Sequence, residues 1–296
     1  MEANLYKQLY QLVGSTAHTP RRSREQYSDM WVVMIFFWAV IHDRPVSWAC
    51  KPDSWPKDLD HQLISQSRMS RRLRTLGVTQ LIERLFTKVS DLFGVPLVKQ
   101  IDSKPLTVGA YSKDADAKRG RLANGQFAKG YRLHSVNHGR IPRHFLLLPL
   151  NEHDSVAGPM LLRRLEGGGY VVGDNAYDTN HCYQAAAAAN HQLIAPPQEC
   201  NKGVRDQKNN CSHRLRGLDL IDSPLEKCGQ TMSFGREMYN CRQRIESGFG
   251  GLTFVGLGAL PAWVRRPRRI ALWVAAKIII FLCIQAQNKG LKINDA

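Results

Sequence analysis

The sequence changes texture near residue 97, and that change limits its possible folds more than any other feature. Before it, apolar residues recur at helical spacing over 5–12, 27–41 and 78–93, with prolines 45, 52 and 56 punctuating the middle. After it come three short β-prone runs, 97–102, 130–136 and 143–150, bounded by Gly, Pro or Asn. A helix over 156–165, a strand over 170–173, an alanine-rich helix over 180–192 and a strand over 193–195 follow. Two more helices, 236–249 and 267–287, close the chain. Three strands followed by alternating helix and strand predict an α/β unit with a mixed sheet flanked by helices. An all-helical region, residues 1–95, is expected ahead of it, with 96–296 forming the sheet domain.

Charge narrows the partners. The 296 residues hold 41 Lys and Arg against 25 Asp and Glu, a formal +16. Such a surplus suits a polyanion, because neutralising phosphates releases condensed counterions, and it is unlike an enzyme for small neutral metabolites. Residues 1–95 carry 13 basic against 9 acidic side chains, and the remainder 28 against 16. Basic clusters stand in a loop expected over 113–132, where Lys118, Arg119 and Arg121 lie, and at Arg265, Arg266, Arg268 and Arg269. Either is a natural track for a phosphate backbone. In the helical region Ser65 is placed to cap a short helix bearing Arg68, Arg71, Arg72 and Arg74. That composition suits a helix lying against double-stranded DNA, and equally a solvated helix face.

Seven cysteines, odd in number and without a C-x-x-C pair, argue for a reducing compartment and a cytoplasmic protein. Cys200, Cys211, His213 and Cys228 offer the donors of a Cys₃His zinc site, but their spacing fits no familiar knuckle and free thiols are expected. The apolar stretches 30–41 and 270–284 fall short of the ~20 residues a membrane span needs, so both are expected as buried core helices. About thirty mostly polar residues precede the first, unlike a signal peptide.

Three acids occupy positions that an active site would use: Asp102 and Asp174 at the ends of expected strands, and Glu246 on a helix. An Asp closing the apolar run Val171-Val172-Gly173 lies at the carboxyl edge of a sheet, where open α/β folds build their sites. An Asp after a strand is also an ordinary turn or cap residue. Convergent carboxylates plus substrate phosphate form the usual cage for Mg²⁺. Two such ions ~3.5–4 Å apart activate the attacking oxygen and stabilise the leaving one in phosphodiester chemistry.

Tyr239, Arg242 and Glu246 reproduce the Y-(2)-R-(3)-E part of the Y-(2)-R-(3)-E-(6)-K signature of bacterial insertion-sequence transposases, and the chain resembles that DDE family. Asp174-Asn175-Ala176-Tyr177 matches the family's D-x-(G/A)-Y motif, and Ile101-Asp102-Ser103 resembles its first acidic motif. The stretch 129–134 is similar to an intervening strand, so the likeness runs over about 97–285 in the family's order.

The resemblance implies a ribonuclease H-like fold with Asp102 on the first strand, Asp174 after the fourth and Glu246 on a following helix. It implies that these three are catalytic and hold Mg²⁺, as two ions and with Mn²⁺ as a substitute. Tyr239 and Arg242 would share a helix face with Glu246 and hold phosphates of the cleaved strand. The implied reaction is hydrolysis at the element's terminal phosphodiesters, then joining of the freed 3′-hydroxyls to target DNA. The implied partners are the terminal inverted repeats, target DNA and a second copy of the chain bridging two ends.

One departure stands out: Thr253 occupies the position of the signature's lysine and brings no positive charge. Arg244 or the arginines at 265–269 are possible substitutes. Thr253 keeps open a catalytically impaired DNA-binding derivative, beside a nuclease of the same fold that only hydrolyses. The one H-x-x-x-H pair, His134 and His138, falls on a strand running into a turn, which argues against a zinc hydrolase.

Overall fold

A computed structural model describes residues 2–17, 26–57, 59, 62–198, 205–222 and 233–293. Cys200 and Cys228 of the candidate zinc set lie outside the described residues. The chain divides into two units, residues 95–253 and residues 1–94 with 254–296. In this division residues 254–296 group with residues 1–94 and not with the sheet. Burial explains the assignment: most of the last long helix is buried, and it packs on the N-terminal helices.

In the sheet unit the strands are β1 (Val98–Thr107), β2 (Lys118–Arg121), β3 (Phe127–His138), β4 (Ile141–Pro149), β5 (Gly169–Val172) and β6 (His191–Ile194). β1 pairs antiparallel with β3 and parallel with β5, and β5 pairs parallel with β6. β4 and β2 pair with successive stretches of the other edge of β3. The order β4-β3-β1-β5-β6 is the mixed, ribonuclease H-like sheet, and Asp174 follows the fourth of these five main strands. Helices α6 (Asp154–Leu162), α7 (Asn180–Ala188) and α8 (Ser212–Asp222) pack on it, then α9 (Phe234–Asn240) and α10 (Gln243–Phe254). One face of β1, carrying Ile101, meets Leu161, Tyr177, Cys182 and Leu193 in a dry core.

Three sequence expectations change here. The loop expected over 113–132 contains β2, which folds back on β3 through Asn124-Gly125, with Gly125 at φ +81° and Leu122 N–H donating to the Gln126 carbonyl. The alanine-rich helix stops at 188 because Asn190 turns left-handed, φ +59°, which lets β6 begin at 191. The helix expected over 236–249 is two helices. Cys241 N–H bonds back to Met238 and Arg242 N–H to Tyr239, three residues each, and this tightening interrupts the axis.

The helical unit comprises α1 (Glu2–Thr16), α2 (Asp29–Ile41), α3 (Val46–Ala49), α4 (Gln66–Arg72), α5 (Leu76–Asp91) and α11 (Pro267–Asn288). α2 is apolar all round, as a central helix must be, and Val32 through Val40 are all buried. Its N-terminus is capped by Ser28, whose hydroxyl accepts from Trp31 N–H. Ser65 holds the N-cap position of α4, but its side chain makes no capping bond. α11 runs 22 residues and is long and apolar enough to cross a membrane, contrary to the estimate from 270–284 alone. It packs on α5, α2 and α1 and is mostly buried against them. Lys277, in its middle, is 1% exposed and pairs with Asp43 at 2.7 Å. Burial lowers the Lys277 pKa, and the Asp43 carboxylate opposes that shift.

Candidate active site

β1 sets the site by alternation: Asp102 and Lys104 point to one face, Ile101 and Ser103 to the other. Asp102 is expected at a strand end, yet β1 continues to Thr107. The parallel pairing with β5 does end at Gln100 and Val172, so Asp102 and Asp174 both emerge just beyond that pairing. Asp174 N-caps a short 3-10 turn over Asn175–Tyr177, its Oδ1 accepting from Ala176 N–H at 3.0 Å. Asp102 Oδ1 accepts from Ser103 N–H at 2.7 Å.

These carboxyls sit in a costly environment. Burial, with further help from the Asp174 charge, pushes the Asp102 carboxyl up to about 6, although the Ser103 amide and Arg242 pull the other way. Burial also raises Asp174, and the nearby Asp154 carboxylate adds to it. A site where burial and a neighbouring carboxylate raise both acids is suited to a cation.

Asp154, which sequence reasoning missed, lies under the opposite face of β1. Its Oδ1 meets His134 Nδ1 at 3.1 Å and accepts from the Tyr177 hydroxyl at 3.2 Å, and its Oδ2 pairs with Arg132 at 3.0 Å. Burial alone would raise Asp154, but hydrogen bonds from His134 and Ser103 and the Arg132 charge outweigh it and bring the carboxyl down to about 2. Asp154 is therefore a fixed negative charge beside the site, not an exchangeable one. Its signal in the sequence is an Asp opening a helix after His153, a first-turn acid. His134 thus meets Asp154 through Nδ1 and steadies that carboxylate.

The turn that carries Asp174 is pinned at both ends. Tyr177, completely buried, holds Asp154, and Asp178 receives a two-pronged bond from Arg214 of α8 at 2.8 and 2.6 Å. Such forked, buried pairs fix geometry well because both partners lose their freedom together.

Arg242 stands in the break between α9 and α10. Its Nη1 donates to Asp102 Oδ2 at 2.9 Å, and its Nη2 lies 3.7 Å from Glu246 Oε1. The guanidinium also lies 6.0 Å from the Tyr239 ring centre. The structure therefore brings Asp102, Asp174, Arg242 and Tyr239 together, and ties Glu246 to them through Arg242. The Glu246 side chain is itself 64% exposed. Because the helix is interrupted, Tyr239 and Glu246 sit on separate helices instead of one shared face. Among the described residues, no three His, Cys, Asp or Glu side chains are gathered closely enough to hold a metal ion. The pair Asp102 and Asp174 fits a divalent cation by donor type and mutual repulsion.

At the other end of α10, Thr253 meets a charge that the sequence did not place. Lys104 Nζ donates to Thr253 Oγ1 at 2.9 Å, and the same hydroxyl donates to the Phe249 carbonyl. Period-two alternation from Asp102 was the signal that could have found Lys104.

The basic residues expected at DNA divide. Lys118, Arg119 and Arg121 are exposed on β2. Arg68 and Arg71 are exposed on α4, whereas Arg72 turns inward, donating to the Tyr27 carbonyl at 2.9 Å and pairing with Asp29 at 2.7 Å. A half-buried carboxylate claims that guanidinium, so Arg72 is an internal brace.

The Transposase DDE domain family matches residues 95–283. Among solved structures, the chain is similar to one described as the cryo-EM structure of piggyBac transposase synaptic complex with hairpin DNA. That match has a TM-score of 0.45 and 10% identity, and covers 99% of this chain and 77% of the other. No curated protein matches.

Proposed function

This chain belongs to the Transposase DDE domain family, and we propose that it works on the ends of a bacterial insertion sequence, in the cytoplasm and as a dimer. It binds the terminal inverted repeats, cleaves the terminal phosphodiesters and joins the freed 3′-hydroxyls to target DNA. The observation that carries this reading is the half-buried pair Asp102 and Asp174 at the carboxyl end of the parallel strands, with Asp102 held up to about 6. A site that resists two negative charges favours a bound cation.

Mg²⁺, or Mn²⁺ in its place, supplies Lewis-acid activation of the attacking and leaving oxygens when bound. Asp102 and Asp174 would hold it, with Glu246 as the third carboxylate. Arg242 orients the Asp102 carboxylate and, with Tyr239, presents a donor set to a strand phosphate. Lys104, resting on Thr253, brings to this end of α10 the positive charge that Thr253 lacks. Lys118, Arg119 and Arg121 on β2, with Arg68 and Arg71 on α4, supply phosphate contacts.

The test is to incubate the full chain with DNA carrying candidate element ends and a target duplex, in Mg²⁺ and in Ca²⁺. Cut and joined products in Mg²⁺, with binding but no cutting in Ca²⁺, are expected, because the larger ion relaxes the geometry of in-line attack. Cut ends that are never joined would replace the proposal with a hydrolytic nuclease. Binding without cutting in either ion would replace it with a DNA-binding derivative.

A further inference from the structure

The helical unit contains a cavity of about 310 Å³ that the strand-cleaving site does not use. Its lining is both aromatic and cationic. Phe36 and Trp273 are buried in the lining, and Trp263 stands 45% exposed. Arg74, Arg268 and Arg269 also line it, the last two in the first turn of α11, where the helix presents unbonded N–H groups.

Two observations point to a ligand. First, among the described residues no acid lines the cavity and none of the three arginines has a carboxylate partner. Arg74 donates to the Ser70 carbonyl at 3.0 Å, Arg268 to Thr79 Oγ1 and Arg269 to Ser70 Oγ, both at 3.4 Å. Guanidinium groups held together only by neutral oxygens retain attraction for an anion. Second, the Trp273 indole N–H is buried and has no hydrogen-bond partner among the described residues. An orphaned buried donor calls for an acceptor.

We propose that this cavity binds a nucleoside phosphate, with the base against the tryptophans and the phosphate at the arginines. A phosphate alone would leave the apolar recess empty, and an apolar molecule alone would leave the arginines unanswered. The volume lies at the low end of the roughly 300–1,000 Å³ of small-molecule sites, which suits a single nucleotide unit. Flat bases stack on aromatic rings, and Gln66 and Ser47 in the lining supply polar contacts to a base edge. The unit is either a free nucleotide or an unpaired nucleotide within a DNA strand. The inference does not rest on strand cleavage.

The test is calorimetric titration of the full chain in chelator, where no cleavage occurs. Deoxyadenosine monophosphate, deoxyadenosine, deoxyribose 5-phosphate and inorganic phosphate are compared. A DNA duplex with one unpaired nucleotide is compared with its fully paired counterpart. Expected is at least tenfold tighter binding of the monophosphate than of its separate halves, or of the duplex with the unpaired nucleotide than of the paired one. The first outcome assigns a free nucleotide, the second a DNA strand, and both together a site that reads the unit in either form. Trp263→Ala and Arg269→Ala should each weaken that binding about tenfold, with Trp263→Phe retaining most of it and circular dichroism unchanged. Equal binding of all probes, no binding of any, or full affinity in folded Trp263→Ala and Arg269→Ala overturns the proposal.

Discussion

Asp102 and Asp154 are half-buried carboxylates that feel each other's charge, with opposite linkage to pH. The folded protein binds the Asp102 proton more tightly than the ordinary 3.8 of the unfolded chain, so stability from this group is lost as pH rises from about 4 to 6. Asp154 is the reverse: its contribution is present above about 4 and lost as pH falls toward 2. In chelator at pH 7, Asp102→Asn should therefore raise Tm by several degrees, a gain of up to about 3 kcal/mol that vanishes near pH 4. Asp154→Asn should lower Tm at pH 7, because His134, Arg132 and Tyr177 lose a charged partner. Thermal melts at both pH values check the pair, and a fall in Tm for Asp102→Asn at pH 7 would contradict the assigned environment. Lys104 makes a separate prediction. Lys104→Ala should slow joining by roughly 100-fold, and adding Thr253→Lys should restore much of it, because either residue brings an ammonium to the same place. Failure of Thr253→Lys to rescue would remove that role from Lys104.

Between elements, the approach of α10 to the β3–β4 hairpin decides where Glu246 stands. A Cβ on Gly248 would lie 3.0 Å from the Arg140 carbonyl and 3.1 Å from Asn137 Nδ2, so only glycine allows this packing undisturbed. Gly248→Val should push α10 outward at a cost of about 1–3 kcal/mol and slow cleavage, while DNA affinity stays within about twofold. Loss of affinity as large as the loss of cleavage would place α10 in binding instead. Much at this scale was legible in the sequence. Short β-prone runs and their Gly, Pro and Asn boundaries located five of the six strands found among the described residues, and the apolar stretches located the long helices. β2 was missed because its residues are nearly all charged and exposed, leaving Asn124-Gly125 as the one local sign of a hairpin. The split of the helix at Arg242 was not legible either, since no Gly or Pro marks it. It arises from backbone bonds that shorten by one residue, and from Arg242 reaching Asp102.

Across the whole molecule, the sequence displayed chemistry better than assembly. Asp102, Asp174, Tyr239, Arg242 and Glu246 stood out through motif spacing, which survives without knowledge of contacts. Asp154, Lys104 and the fate of Arg72 depend on partners 20 or more positions away, so no local pattern reports them. The return of residues 254–296 to the helical unit has the same cause: an apolar helix advertises burial but not its neighbours. The proposed function rests on two carboxylates, 72 positions apart in sequence, acting together in strand cleavage. The most direct measurement is cleavage and joining of end-bearing DNA in Mg²⁺ by the wild type and by Asp174→Ala, with binding followed in parallel. The account predicts nicked and joined products from the wild type, and from Asp174→Ala normal binding with neither product. Undiminished cutting by a folded Asp174→Ala protein would contradict it.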